Sequence, residues 1–400
     1  MNNEYLIHNT IPMNLRNLPE SLSPHERCAV RRMTIQDTLE VNLSNLGTEP
    51  HRIGDAEEKN CEQMFGSVPI PIGYAGPLTV ELSNNEIVDL HLPLGTTEGA
   101  LVASVNRGCR AISGHTKTHA IYHGISRTIA FKIDKKPEQL INSITEKEDI
   151  WKAAGEATSS HLKIINTHID RSDSHLFLTI NADTDEAMGM NMITIAADAI
   201  GHWIANNLCK DGTTCRLITI AGNVDSDKKP SKRTHDLGRG YEVHAEANLS
   251  TKVIQETLKT TPESMMHVAD AKLKDGSHIA SALGSNLHAA NIIAALYLAT
   301  GQDAAHVVEG SLADTTVMQT KDGLQISVRL PAILVGVRGG GTSLPAQKQC
   351  LDLLLKPQTS LRPTQQLAES IGAAVLAGEV SLLAAQAAHT LASSHKKMAR

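Results

Sequence analysis

The stretch Leu94-Gly95-Thr96-Thr97-Glu98-Gly99-Ala100-Leu101-Val102-Ala103-Ser104-Val105-Asn106-Arg107-Gly108-Cys109-Arg110 reads as a turn that feeds directly into a helix. Leu101, Val105, Cys109 and Ile112 recur at helical spacing and form a face for a core. Gly99, Ala100, Ala103 and Gly108 are small, so another backbone or a ligand can come close. Thr97 is the expected N-cap, which puts Glu98 in the first turn, near the positive end of the helix dipole. A first-turn glutamate ordinarily does no more than compensate that dipole. Ser104, Asn106, Arg107 and Arg110 add a polar edge to an otherwise apolar helix, and that edge points to a site.

At 400 residues the chain is too long for one compact core, and two or three domains are expected. Aromatic residues are only 2%, so Ala, Leu, Ile, Val and Met must build the interior. A net charge of −6 argues against a nucleic-acid partner, because phosphate binding requires a basic surface. Cys28, Cys61, Cys109, Cys209, Cys215 and Cys350 include no Cys-x-x-Cys pair and read as buried free thiols of a reducing compartment. The N-terminus has neither a basic n-region nor an apolar h-region, and the longest purely apolar run, Ile292 to Ala299, is far short of a membrane span. A cytoplasmic protein without a membrane partner is expected.

Residues 1–50 hold Pro12, Pro19 and Pro24 and then a charged helical stretch, a small N-terminal element. Residues 61–78 are rich in Pro and Gly and read as a rigid, irregular loop. From about Thr128, strand and helix patterns alternate: strand Ile129–Ile133, helical material from Pro137 to Ile165, strand His175–Ile180, helix Met188–Cys209 and strand Arg216–Ala221. This βαβαβ-like block contains no Gly-x-Gly-x-x-Gly, so no Rossmann site is expected in it. Beyond it come an alternating strand (Tyr241, Val243, Ala245, Ala247), an apolar helix from Leu287 to Thr300, a strand from Leu324 to Leu330 and a glycine-rich turn, residues 336–342. An Ala- and Leu-rich helical end follows.

Taken alone, Asp227-Lys228-Lys229-Pro230 reads as a solvated charged turn, Asp303 after Gly301-Gln302 as a cap, and the alternating Met of residues 188–192 as core filler. His115, His119 and His123, at i, i+4 and i+8, would share one face of a helix and could hold zinc. Gly114, Gly124 and the lack of a nearby Cys or Glu pattern weigh against that, and no metal is expected.

Together these segments resemble 3-hydroxy-3-methylglutaryl-CoA (HMG-CoA) reductases. TTEGALVASVNRGCRAI is similar to the family's catalytic-glutamate helix, DKKP to its catalytic-lysine loop, HAANI…GQDAA to its aspartate segment and DEAMGMNM to its cofactor segment. The DKKP loop matches the eukaryotic and archaeal branch. The resemblance implies an α+β fold: a large domain around a central helix (51–128 and 220–400) with an inserted ferredoxin-like, non-Rossmann dinucleotide-binding domain (129–219). It implies four-electron reduction of HMG-CoA to mevalonate and free CoA with two NADPH, NADH being the alternative cofactor. It implies catalytic roles for Glu98, Lys228, Asp303 and His395, and substrate contacts from Ser104, Asn106, Arg107, Arg127, Asn223, Asp227, Lys229, Lys272 and Asn291. Cofactor contacts are expected from Asp185, Glu186, Met188, Gly189, Met190, Asn191, Gly339, Gly340 and Arg400, with Lys163 and Lys397 as further cations. Family sites form between subunits, so a dimer or tetramer is implied. Gln63, Ser67, Ala221 and Glu186 depart from the family's usual Asn, Tyr, Ser and Asp. NAD-linked oxidation of mevalonate and a catalytically silent CoA-binding protein are the competing readings.

Overall fold

A computed structural model describes residues 15–133, 137–209 and 215–389. Helix α1 (Pro24–Leu39) begins with a reciprocal capping box: Ser23 accepts from the Glu26 amide, and the Glu26 carboxylate accepts from the Ser23 amide. Arg27 and Arg31 of α1 both pair with Glu57, and Cys28, Ile53, Ala56 and Met64 close a small satellite core.

Strands β1 (Ile72–Glu81) and β2 (Ile87–Gly95) form an antiparallel hairpin where an irregular loop was expected up to Leu78. The strand was hidden because Gly76-Pro77 reads as a breaker. The register shifts between Ala75 and Leu78, and this bulge absorbs a proline that has no N–H for the ladder.

Helix α2 (Leu101–Ile112) buries Leu101, Val105, Cys109 and Ile112, the face its spacing predicts. It begins later than expected. Thr96 Oγ1, not Thr97, accepts the Glu98 amide, and Ala100 takes the N-cap position in left-handed backbone at φ 72°. Glu98 therefore sits in the turn ahead of the helix rather than in its first turn.

Strand β3 (Thr116–Ile133) runs through both sheets. Its second half joins β4 (Lys163–Arg171), β5 (His175–Asp183) and β6 (Cys215–Thr219) in the antiparallel order β4-β5-β3-β6. Helices α3 (Pro137–Glu146), α4 (Glu148–Glu156) and α5 (Met190–Leu208) complete a βαββαβ, ferredoxin-like unit around Phe131, Trp151, Leu178 and Ile200. Strand β4 occupies the end of a segment expected to be helical. The histidines at 115, 119 and 123 lie on or beside β3, so over eight extended residues they spread across about 26 Å rather than one helical face. The end of α5 and the start of β6 lie side by side, Cα atoms 5.0 Å apart, and Cys209 and Cys215 form a disulfide. These two are therefore not free thiols as expected; Cys28, Cys61, Cys109 and Cys350 are free, with Cys61 exposed.

The first half of β3 enters the larger sheet, ordered β2-β1-β3-β7-β9-β8, with β7 (Gly240–Ser250), β8 (Asp314–Gln319) and β9 (Gly323–Ile333) all antiparallel neighbours. Around it pack α6 (Pro262–Ala269), α7 (Ala289–Thr300), α8 (Pro345–Leu354) and α9 (Pro363–Ala387). Helix α9 is the central one, buried along nearly its whole length. Among the described residues it alone is long and apolar enough to cross a membrane, but it is surrounded by protein. Two fully buried carboxylates tie it to its neighbours, so neither is left unpaired. Glu369 accepts from Ser83 and Thr118, and Glu379 from the amides of Leu287 and His288 and from Thr315.

Candidate active site

The loop after β6 carries Asn223, Ser226 and Lys228 at φ 68°, 53° and 58°. Three non-glycine residues in left-handed backbone so close together cost energy, and they persist only where their surroundings over-determine them. The restraint comes from a buried network behind the loop. Glu309 accepts the Lys228 amide at 2.6 Å and the Arg239 guanidinium at 3.0 Å. Arg239 also holds Asp227 at 3.0 Å and donates to Ser126, and Arg127 lies 3.5–3.6 Å from Asp225 and Asp227. Asp227, His306 and Glu309 bring possible ligand atoms within 4.8 Å of one another, but the Arg239 guanidinium already bridges two of the three carboxylate and imidazole groups.

The network aims Lys228 outward. Its Nζ pairs with Asp303 Oδ2 at 2.8 Å. Burial alone would raise the Asp303 carboxyl, but Lys228 and the Ala305 amide outweigh it and hold that carboxyl below its ordinary range. Burial opposes ionisation of Asp227 in the same way, and Arg239, His306 and Arg127 overcome it. Both aspartates are thus anionic at neutral pH, and acid is needed to break the pair: it is lost only as pH falls through the depressed value.

Lys228 and Asp303 border a cavity of about 810 Å³. Its other walls are Met188–Met192 at the start of α5 and the turn Gly339-Gly340-Gly341. Gly189 caps α5 with left-handed backbone and no side-chain hydrogen bond, so the free amides of a 19-residue helix open beside the cavity, an arrangement suited to phosphate. At Gly339 and Gly340 an added Cβ would meet nothing within 4 Å, which leaves the turn open as a cradle. Gln302 clasps this turn to the aspartate segment: its amide accepts from the Gly336 amide at 2.9 Å and donates to the Gly336 carbonyl at 3.0 Å.

Of the residues expected from sequence, Lys228, Asp303, Met188, Gly189, Met190, Asn191, Gly339 and Gly340 meet at this cavity. Asp185 and Glu186 are engaged elsewhere: Asp185 with His161 and Arg362, Glu186 with Arg362 and the Thr364 amide. Arg127, Asn223, Asp227 and Lys229 belong to the lysine loop and its backing, with Lys229 Nζ on the Asp227 carbonyl. Ser104 and Arg107 bind Ser381 of α9, and Asn106 accepts the Gly76 amide, so that polar edge anchors α2 within the chain. Asn291 is half-buried at the start of α7. Lys272 lies on a π-helical turn, Asp270–Gly276, and lines a second cavity of about 570 Å³ beside Ala387 and His389. Glu98 is exposed and forms no ion pair with Lys228 among the described residues. His395, Lys397 and Arg400 lie outside the described residues.

Sequence reasoning missed Gln302, His306, Glu309, Arg239 and Arg338. Gly-Arg-Gly at 238–240 and the His306/Glu309 spacing of three were the available signals, weak because each lies in a different segment from the loop it supports. Arg338 lines the cavity, and its guanidinium has no ion-pair partner among the described residues.

A family model described as hydroxymethylglutaryl-coenzyme A reductase matches residues 27–400. A 3-hydroxy-3-methylglutaryl-coenzyme A reductase of Methanocaldococcus jannaschii is 40% identical over 380 residues, spanning 93% of this chain and 92% of that protein. One from Halobacterium salinarum is 36% identical over 396 residues, 97% of this chain and 96% of that protein. Reductase 1 of Dictyostelium discoideum is 37% identical over 379 residues, 92% of this chain and 67% of that protein. The fold is shared with the solved class II reductase of Streptococcus pneumoniae bound to NADPH, with a TM-score of 0.65 at 18% identity, covering 91% of this chain and 93% of that one. With that family model matching residues 27–400 and relatives at 36–40% identity over more than nine-tenths of the chain, the chain belongs to the hydroxymethylglutaryl-coenzyme A reductase family.

Proposed function

We propose that the Lys228–Asp303 pair is the chemical centre at which this chain reduces HMG-CoA to mevalonate and free CoA. The observation that carries this reading is the single cavity joining that pair to the α5 N-terminus and the open glycine turn. Two NADPH molecules, bound there in turn, would supply one hydride each. Each hydride addition leaves negative charge on the substrate's carbonyl oxygen, first in forming the hemithioacetal and then in reducing the aldehyde. Lys228 Nζ is the cation for that oxygen, and the anionic Asp303 keeps it charged and aimed. Glu98 is assigned the donation of a proton to the oxygen, and His395 the protonation of the departing CoA thiolate. Purified protein should consume NADPH on addition of HMG-CoA and release free thiol. Binding of HMG-CoA without consumption of NADPH or NADH would favour the silent alternative, and preferential NAD-linked mevalonate oxidation the degradative one.

The active sites are assigned to a subunit interface, in a dimer or larger assembly in the cytoplasm. What supports this is that one chain does not collect the parts: Glu98 is exposed, and Lys272 lines a different cavity from Lys228 and Asp303. Co-refolding inactive Glu98→Gln with inactive Lys228→Ala should restore activity, since a mixed dimer then holds one intact site. Failure to restore any activity, with mixed dimers shown to form, would refute sharing.

Two arginines are assigned to the cofactor phosphates, Arg400 from the resemblance and Arg338 from its place in the cavity wall. A charge-assisted hydrogen bond contributes about 1.5–3 kcal/mol, so Arg338→Ala should weaken NADPH binding about tenfold or more in a direct titration, with the KM for HMG-CoA unchanged. Unchanged NADPH affinity would remove Arg338 from the site. Deleting Arg400 should raise the KM for NADPH far more than that for NADH.

A further inference from the structure

His306 is fully buried, yet its Nε2 has no hydrogen-bond partner, and the same is true of Glu309 Oε2 beside it. The ring stands between two carboxylates: Nδ1 is 3.3 Å from Glu309 Oε1, and Nε2 is 3.7 Å from Asp303 Oδ2. Asp303 Oδ2 is the same oxygen that receives Lys228 Nζ. A neutral imidazole has one donor and one acceptor, so it would turn a lone pair toward one of these carboxylates. Only the doubly protonated ring donates to both.

The charges around it lead to the same state. The cluster holds four carboxylates, Asp225, Asp227, Asp303 and Glu309, against three cations, Lys228, Arg127 and Arg239. Uncompensated charge is costly where Asp225, Arg239 and Glu309 are buried, and an imidazolium at 306 balances it. The groups facing the ring come from every neighbouring segment: Asp303 ahead of it, Glu309 one turn on, Asp227 from the lysine loop with Arg239 behind, and, near Glu309, the buried Tyr297 hydroxyl of α7.

We propose that His306 is a positioning residue for the reduction: as an imidazolium bridging Glu309 and Asp303, it holds the Asp303 carboxylate on Lys228. The proposal rests on the assignment of Lys228 and Asp303 to the reaction centre. At 3.7 Å the Nε2 of His306 lies within ion-pair reach of Asp303 Oδ2, so a charged ring holds that carboxylate by electrostatic attraction. A misaimed cation loses rate steeply, whereas the substrate- and cofactor-binding surfaces are untouched.

The test uses His306→Ala and His306→Gln in the full-length chain. His306→Ala should lower kcat about tenfold or more while leaving both KM values within about twofold. His306→Gln, which keeps an amide donor but no charge, should recover only part of kcat, and its rate should not depend on any ionisation at residue 306. Nitrogen-15 NMR of the wild-type protein, assigned by the signal missing in His306→Gln, should show an imidazolium near neutral pH. A neutral ring, or wild-type kcat and pH profile in His306→Ala, would overturn the proposal. If His306→Ala does not fold, the ring state and the His306→Gln profile decide. Asp303→Asn and Lys228→Ala serve as controls: if those remain active, the reaction-centre assignment itself fails, a result distinct from failure at His306.

Discussion

Lys228→Ala is expected to lose about a thousandfold or more in kcat while unfolding within about 0.5–1 kcal/mol of the wild type. The two effects separate because the loop is held by its backbone. The Lys228 amide, not its side chain, donates to Glu309, and alanine takes up the same φ of 58° at no greater strain than lysine. The side chain is 44% exposed, so its ion pair with a partly exposed Asp303 contributes little to folding. In the proposed role the same ammonium would face the developing alkoxide, and loss of such a group is among the largest single catalytic effects. Initial rates and a denaturant titration on one preparation test both halves. Retention of more than about a tenth of the activity would mean that another group stabilises the oxygen.

Gly108→Ala is expected to be the most damaging small substitution in the chain. An added Cβ would stand 1.9 Å from the Ala377 carbonyl oxygen and 2.5 Å from its carbon, so backbone, not a movable side chain, is in the way. Helices α2 and α9 would have to separate, breaking the Ser104 and Arg107 bonds to Ser381 and opening the core around Val105 and Val380. Overpacking of this kind costs on the order of 3 kcal/mol, and here the lost hydrogen bonds add to it. Gly114→Ala is the control: its φ of 74° carries a penalty of about 1–2 kcal/mol, but nothing lies within 4 Å of the new Cβ. Comparable unfolding midpoints for the two variants would show that α2 and α9 are not in backbone contact.

The parts legible in the sequence are those in which one local pattern carries the information. The buried face of α2 follows from the spacing of Leu101, Val105, Cys109 and Ile112. Lys228 and Asp303 stand in contiguous motifs, and the two motifs do meet. What stayed hidden depends on partners distant in sequence. Strand β1 carries a glycine–proline step that reads as a breaker until β1 is seen to bulge there against β2. The support of the lysine loop is spread over Arg239, His306 and Glu309, each an ordinary polar residue until folding buries it beside the others. The disulfide escaped for a similar reason, since nothing in a spacing of six shows that α5 and β6 end side by side.

The continuity of β3 bears on how separable the ferredoxin-like unit is. The expected boundary between residues 128 and 129 falls inside that strand, whose residues from Thr116 to Gly124 pair with β7 and from Ile125 to Ile133 with β5 and β6. One uninterrupted ladder member thus serves two sheets, and no flexible tether joins them on that side. Gene surgery that lifts out the smaller unit at its apparent edges would amputate half a strand from whichever piece loses it. Swapping this unit between relatives to change cofactor preference should therefore work only when the whole of β3 travels with it and its β7 neighbour is matched to the incoming strand. Grafts cut at the apparent edges should yield insoluble protein rather than an enzyme with altered preference.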